Sequence, residues 1–402
     1  MKSIKELILK KSADLNNELI GLRRHFHMYP ELSFKEFKTA SFICDYLEKN
    51  GIPFRKEVAG TGVIGIIEGT QNGKKVIALR ADMDALPITE TNNVDYASNN
   101  PGKMHACGHD AHMAMLLGSA VLLNNIKAFF GGTILLIFQP GEEVAPGGAS
   151  LMIDSGAFNN PKPDIVLAQH VLPELQTGSV GYRAGRYMAS SDEIYITVKG
   201  TGGHAALTDL TTDQIYIASH LIITLKDRIL KEQTINKIPT VFGIGRITGA
   251  GATNIIPEKV EIAGTFRTFD EKWREEAKKI ITEICAATAK EFNVNIIVKI
   301  VKGYPVLIND KKLTESAINL SSELLGKEKV ELFDIRMSSE DFAFFTEAFP
   351  SVYLRVGIKK KDHKMRMLHT SGFDIDEEGL QTGVANMSWL AFNFLSDNYN
   401  QF

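Results

Sequence analysis

Short, nearly continuous apolar runs separated by helix-length amphipathic stretches dominate the first half of the chain. Val63-Ile64-Gly65-Ile66-Ile67, Val76-Ile77-Ala78-Leu79, Ile134-Leu135-Leu136-Ile137-Phe138 and Ile165-Val166-Leu167-Ala168 are apolar at successive positions, which predicts strands buried on both faces of a sheet. Residues 111–129 and 148–155 carry helical spacing between or beside them. The clearest helix near the N-terminus spans 33–50, with Ser33-x-x-Glu36 as its start, Phe34, Phe37, Ile43 and Leu47 as its apolar positions and Gly51 as its stop. This alternation predicts an α/β sandwich. Open α/β sheets collect ligands at the carboxyl ends of their strands, and there Glu142 and Glu143 follow one run and His170 another.

From about Gly185 the pattern changes. Glu193-Ile194-Tyr195-Ile196-Thr197-Val198 alternates with period two; then come a helical stretch over 212–230, strands near Val241 and at Val260-Glu261-Ile262-Ala263, and a second long helix. Ending near Val301, the order β, α, β, β, α, β predicts a ferredoxin-like α+β unit inserted as one compact domain over 185–301. After Tyr304-Pro305 helices resume, followed by a strand at Val352-Tyr353-Leu354-Arg355-Val356 and an amphipathic helix over 377–395. Residues 1–184 and 302–402 therefore read as one discontinuous domain. No internal repeat or low-complexity linker interrupts the pattern.

A length of 402 residues with 44% hydrophobic side chains supports two or three such domains. With 45 basic and 48 acidic residues the net charge is −3, so no field favours nucleic acid or an acidic membrane surface, and neither is expected as a partner. Glu6 and Asp14 interrupt the N-terminal apolar positions where a signal peptide needs a continuous core. No apolar run approaches the roughly 20 residues of a membrane span, and the expected location is the cytoplasm. Cys44, Cys107 and Cys285 stand far apart and form no disulfide framework. Cys44 and Cys285 sit in helix-like stretches as small apolar groups.

Cys107 differs. In Cys107-Gly108-His109-Asp110-Ala111-His112 it precedes a histidine by two positions in a turn that opens a helix, where positive helix-end potential favours a thiolate. Gln139-Pro140-Gly141-Glu142-Glu143 follows some thirty residues later, and His170 and His369 add imidazoles. Thiolate, imidazole and carboxylate together are the donors of zinc and its first-row neighbours. Of two adjacent carboxylates, one can ligate while the other stays free to deprotonate water, although an acidic turn facing solvent would read the same.

These residues belong to a series of blocks: Arg80-Ala81-Asp82-Met83-Asp84-Ala85-Leu86-Pro87, His105 to Asp110, Gln139-Pro140-x-Glu142-Glu143, Gly202-Gly203-His204-Ala205-Ala206, Asn254-x-x-Pro257, Glu340-Asp341-Phe342 and Leu368-His369. In this order they resemble the M20 metallopeptidase family, in its amidohydrolase branch of aminoacylases, hippurate hydrolases and indole-acetyl-amino-acid hydrolases. The resemblance runs from about Arg24 to Gly383. It implies a metal-dependent amidohydrolase that splits N-acyl amino acids, and two divalent ions, zinc, manganese, cobalt or nickel, bridged by Cys107. One ion would add His109 and His170, the other Glu143 and His369. Glu142 would be the general base and Asp84 the aspartate that orients a ligating imidazole, with Asp82 a competing candidate. His204 would polarise the substrate carbonyl, with Asn254 as a second oxygen ligand, and the inserted domain would serve as lid and homodimer interface.

The chain departs from the family where Leu207-Thr208-Asp209-Leu210 stands in place of a Pro-His pair, and where His369-Thr370-Ser371-Gly372 lacks a proline. His25 and His27, beside Tyr29-Pro30-Glu31, are expected in packing or hydrogen bonding; His112 could face its own helix's core, and His105 receives no role. A metallo-dipeptidase shares the same machinery, and a catalytically silent metal-binding or sensing protein shares the fold. The second carboxylate, Glu142, argues against the latter. Neither G-x-G-x-x-G nor G-x-x-x-x-G-K-[ST] follows a strand, so nucleotide chemistry is poorly supported.

Overall fold

The computed structural model describes residues 3–360 and 365–396 and divides into two compact units. The first gathers Met1–Tyr187, Ile308–Asp334 and Asp341–Phe402; the second gathers Met188–Leu307 and Ile335–Glu340. The short piece Ile335–Glu340 is tied there by Ala189 N–H, which donates to Arg336 O and Ser338 O. Its sequence carries no periodic signal of that attachment.

An eight-stranded mixed sheet organises the first unit, in the order Phe54–Val58, Gly62–Glu68, Gly131–Gln139, Gln71–Asp82, Ile165–Gln176, Ser351–Lys359, Val180–Tyr182, Val330–Leu332. Its four central strands run parallel, with Asp82 opposite Gln139, Arg80 opposite Ala168 and Arg355 opposite His170. Their carboxyl ends therefore lie at one edge. Each predicted apolar run forms the buried part of one strand, with Ile77, Ala78, Leu79, Ile134, Leu136, Val166 and Leu167 fully enclosed.

Helix His109–Asn125 is buried along almost its whole length, as a helix packed on every side must be. It lies between Asn16–Met28 and Gly379–Leu395, and at Gly118 a Cβ would meet Leu19 at 2.4 Å and Val384 at 2.9 Å. The helix expected over 111–129 thus begins two residues earlier and ends at Asn125, before a separate 3₁₀ turn at Lys127–Phe129. Two N-terminal helices, Ile4–Asp14 and Asn16–Met28, add to the expected set; the first is closed by a Ser3/Glu6 capping box.

The helix expected over 33–50 spans Phe37–Lys49; Glu36 holds the N-cap position but its side chain makes no capping bond, and Ser33 lies outside the helix. Phe34 stands at φ 62°, a left-handed conformation that ends any helical continuity before it. Glu31 instead accepts from Thr39 N–H and Oγ1.

In the second unit a four-stranded antiparallel sheet runs Thr240–Thr248, Lys259–Thr268, Asp192–Lys199, Asn295–Lys302. Helices Gln214–Asn236 and Glu271–Glu291 cover one face, burying Ile194, Ile196, Val198, Leu221, Leu225, Val260, Phe266 and Trp273. The first strand lies between the third and the fourth, the arrangement of a ferredoxin-like split βαβ unit. Among the described residues no helix is long and apolar enough to cross a membrane.

Candidate metal centre

The carboxyl edge of the large sheet assembles five donors. Gly108, at φ 88°, separates Cys107 from His109, the first residue of its helix. A Cβ at Gly108 would lie 2.4 Å from Val171, so glycine alone fits. His170 belongs to strand Ile165–Gln176, and Glu142 and Glu143 follow strand Gly131–Gln139. His369, at φ 60°, is pinned by its N–H donating to Ala106 O at 2.8 Å.

Cys107 Sγ lies 3.4 Å from His170 Nε2 and 3.3 Å from His369 Nε2. Glu143 Oε1 is 3.4 Å from His369 Nε2 and 3.9 Å from His109 Nε2. Donors bound 2.0–2.3 Å from one tetrahedral ion stand about 3.3–3.8 Å from each other. Two triads share the sulfur, each with its ligand atoms within 4.8 Å of one another: Cys107, His109 and His170, and Cys107, Glu143 and His369. His109 Nε2 and Glu143 Oε1 are buried without a hydrogen-bond partner, a costly arrangement unless a cation completes it.

Two of the imidazoles are anchored through Nδ1. His109 Nδ1–H donates to Asp84 O at 2.8 Å and His170 Nδ1–H to Val171 O at 2.7 Å, so each turns an Nε2 lone pair toward Cys107. His112 also approaches Asp82 and His109, but both its ring nitrogens are engaged in hydrogen bonds. Its Nε2 accepts Val171 N–H at 3.0 Å and its Nδ1–H donates to Asp82 at 2.6 Å.

Burial pushes the Cys107 thiol up, and Glu143 adds to the rise, so the thiolate needs positive charge beside it. Burial would lower His109, but Asp82 and Cys107 outweigh it and hold its pKa well above the ordinary value. The hydrogen bond to Cys107, and then the Glu143 carboxylate beside the ring, push His369 up to about 10. The protons drawn to these imidazoles mark a pocket of negative donors that a divalent ion would neutralise. His170, penalised by burial and by His112 and Arg355, is held neutral.

The family model of Peptidase family M20/M25/M40 matches residues 78–391. The chain belongs to this family. It is 36% identical over 396 residues to the IAA-amino acid hydrolase ILR1-like 4 of Arabidopsis thaliana, covering 97% of this chain and 89% of that protein. Identity is 38% over 369 residues with the N-acetyl-L-cysteine deacetylase of Bacillus subtilis, covering 91% of this chain and 85% of that one. The crystal structure of the Bacillus subtilis YXEP protein, a dinuclear metal binding peptidase from the M20 family, superposes with a TM-score of 0.80 at 31% identity and covers 96% of this chain and 99% of that one. The chain is thus a metal-dependent M20 amidohydrolase, an enzyme that hydrolyses amide bonds.

Around the five donors this M20 chain builds a buried polar lattice. Arg80 donates to Gln139 at 2.8 Å, to Asp82 at 2.6 Å and to Asp341 at 2.8 Å. Asp341 also accepts from Gln139 Nε2 at 2.7 Å and from Ala149 N–H at 3.0 Å, and its own N–H donates to Glu142 Oε1 at 3.4 Å. Breaking one partner of such a buried set costs about 3–5 kcal/mol. Sequence reasoning gave no role to Arg80, Gln139 or Asp341. The available signal was Arg80 and Asp82 on one face of a strand buried on both faces, where charges must be paired.

Both aspartates of the first block are engaged. Asp84 Oδ2 accepts Ser33 Oγ–H at 2.7 Å and Glu143 N–H at 3.0 Å, and Asp82 fixes His112. His25 stacks on Phe42 at 3.9 Å, while His27 bonds Asp110 at 2.6 Å and Glu90 at 3.1 Å. His105 is buried with both ring nitrogens unpartnered, and burial holds its pKa down at about 3.

His204 and Asn254 lie in the second unit. A two-stranded ribbon pairs His204 with Ile255, and Ala205 N–H donates to Asn254 O at 2.9 Å. Ala206 N–H donates to His204 Nδ1 at 3.1 Å, which leaves the proton on Nε2 as a solvent-facing donor. Leu207 and Leu210, in the stretch that departs from the family pattern, are exposed.

Proposed function

We propose that this amidohydrolase acts on N-acyl amino acids, releasing a carboxylic acid and a free amino acid. Cys107, His109, Glu143, His170 and His369 would hold a pair of divalent ions, and Glu142 would be the general base. The observation that carries this reading is the pair of donor triads sharing Cys107 with a second carboxylate beside them. Two relatives named for cleaving an acyl group from an amino acid support the substrate class.

Divalent ions held by these five residues would supply Lewis acidity for the attack on the amide. Glu142, nearly enclosed, takes the water proton and returns it to the departing nitrogen. Asp84 and Val171 keep the ligating imidazoles in one tautomer. His204 Nε2–H is our candidate donor to the carbonyl oxygen, with Asn254 as a second. The mixed sulfur, nitrogen and oxygen set suits zinc, manganese, cobalt or nickel. The free thiols of Cys44, Cys107 and Cys285 suit a reducing compartment, and we place the enzyme in the cytoplasm.

The test is a panel of acetyl, benzoyl and indole-acetyl amino acids with dipeptides as controls, each assayed with the four metals. Hydrolysis of acyl amino acids well above dipeptides is expected; the reverse preference refutes the substrate class.

His204→Ala is expected to lower kcat by about 10²–10³, the usual worth of one oxyanion donor, with metal content unchanged. Metal loss in that variant would make His204 a ligand and refute the assignment.

We also propose a homodimer through the second unit. Strands Thr240–Thr248 and Asn295–Lys302 each pair on one side only within its sheet, and such edges invite pairing. On helix Gln214–Asn236 the exposed Tyr216, Ile223 and Leu230 recur every seven residues, an apolar stripe that a two-fold copy would cover. Light scattering is expected to give twice the chain mass; a monomer at micromolar concentration refutes it.

A further inference from the structure

The tetrapeptide Ser33-Phe34-Lys35-Glu36 reads in sequence as a helix start, yet its two polar ends turn to the Glu142–Glu143 turn instead. Glu36 is fully buried. Its Oε1 accepts Gly141 N–H at 2.9 Å and Phe34 N–H at 2.8 Å, and its Oε2 accepts Thr61 Oγ–H at 2.6 Å. Ser33 Oγ–H donates to Asp84, whose same oxygen receives Glu143 N–H. The main-chain N–H groups on either side of Glu142 are thus held by two buried carboxylates, and Ser33 and Glu36 each secure one of them.

Phe34 closes the arrangement. Held at φ 62° by the bond of its own N–H to Glu36, it lays its ring so close to Gly141 that a Cβ there would meet it at 2.4 Å. Gly141 itself stands at φ 54°. Two backbone positions in the left-handed region, facing each other across one carboxylate, are kept only where the surroundings over-determine them. Glu36 supplies that determination. Its pKa is raised by burial, with Asp84 adding to the rise.

We propose that Glu36 is a positioning residue for Glu142: it fixes the turn that aims the general base, touching neither substrate nor metal. This rests on the reading of Glu142 given above. Misplacement by about 1 Å costs up to 10²-fold in rate, so Glu36→Ala is expected to lower kcat about 10- to 100-fold with KM within about threefold and metal content unchanged. Glu36→Gln keeps an acceptor for Gly141 and Phe34 while its NH₂ faces the Thr61 oxygen, and should stay within about fivefold of the parent. Thr61→Val, which leaves Glu36 in place, should give an intermediate loss and stands in if Glu36→Ala does not fold.

Two readouts separate positioning from general stability. In the Glu142→Gln background the Glu36 or Thr61 change should cost less than about twofold more, because both act through one group. Hydrogen exchange of a peptide covering 139–145 should quicken about tenfold in Glu36→Ala, with the central strands unchanged. A parent inactive on the whole acyl-amino-acid panel sinks the functional reading, while exchange still decides the role of Glu36. An active parent with unaltered kcat in Glu36→Ala and Thr61→Val, losses that multiply with that of Glu142→Gln, or unchanged exchange at the turn each overturns the proposal.

Discussion

Glu142→Gln is expected to lower kcat by about 10²–10⁴, the usual worth of a general base, while metal content and KM stay close to those of the parent. The amide has the size of the carboxylate and keeps an oxygen for Asp341 N–H, which approaches Glu142 at 3.4 Å. It has no useful affinity for a proton. Enclosure of Glu142 leaves little room for bulk water to replace it as acceptor. The neighbouring change Glu143→Gln should act differently: Glu143 Oε1, buried without a hydrogen-bond partner and 3.4 Å from His369, is our proposed ligand, so its loss should appear in metal affinity. Steady-state kinetics beside elemental analysis of both variants separates the two roles. A Glu142→Gln enzyme within a few-fold of the parent removes Glu142 from proton transfer.

The positions of these groups were legible in the sequence to different depths. Strands and donors were readable together because the apolar runs end where chemistry begins: Gln139 closes one strand before Glu142, and His170 lies in the next. Cys107-Gly108-His109 announced its turn, and the φ of 88° at Gly108 is the physical reason for the glycine.

Ser33-x-x-Glu36 misled because local pattern cannot register that Asp84 and Gly141 arrive within bonding distance from 51 and 105 residues away. A side chain able to cap a helix is equally able to leave it for a stronger buried partner. Arg80 and Asp341, 261 positions apart, meet only in the folded chain. The attachment of Ile335–Glu340 to the second unit rests on main-chain bonds such as Ala189 N–H to Arg336 O and on Ile335 and Met337 packing against Ala189, Phe269 and Val306, contacts of a stretch too short to show a period. The helix at Asn16–Met28 passed unnoticed because it buries charge with its apolar face: Arg23 is fully enclosed by Asp110, Asp374 and Glu377, which breaks the apolar periodicity.

Removing the Cys107 sulfur is expected to abolish ion binding and, with it, activity. Cys107 is the one donor common to both triads, so Cys107→Ala leaves His109 with His170 on one side and Glu143 with His369 on the other. Two protein donors fall short of the three that catalytic zinc sites keep. Dialysed Cys107→Ala protein should retain well under one metal equivalent where the parent retains about two, with kcat down by at least about 10²-fold. In the parent, stripping the metal with a chelator should lower the melting temperature, because an ion that binds only the folded state stabilises it; the variant should melt at one temperature with or without chelator. A Cys107→Asp change, which restores a bridging anion of harder character, should recover binding with a shift toward manganese. Parent-like metal content in Cys107→Ala would show that the two triads do not share this sulfur, and the paired site built on it would fall.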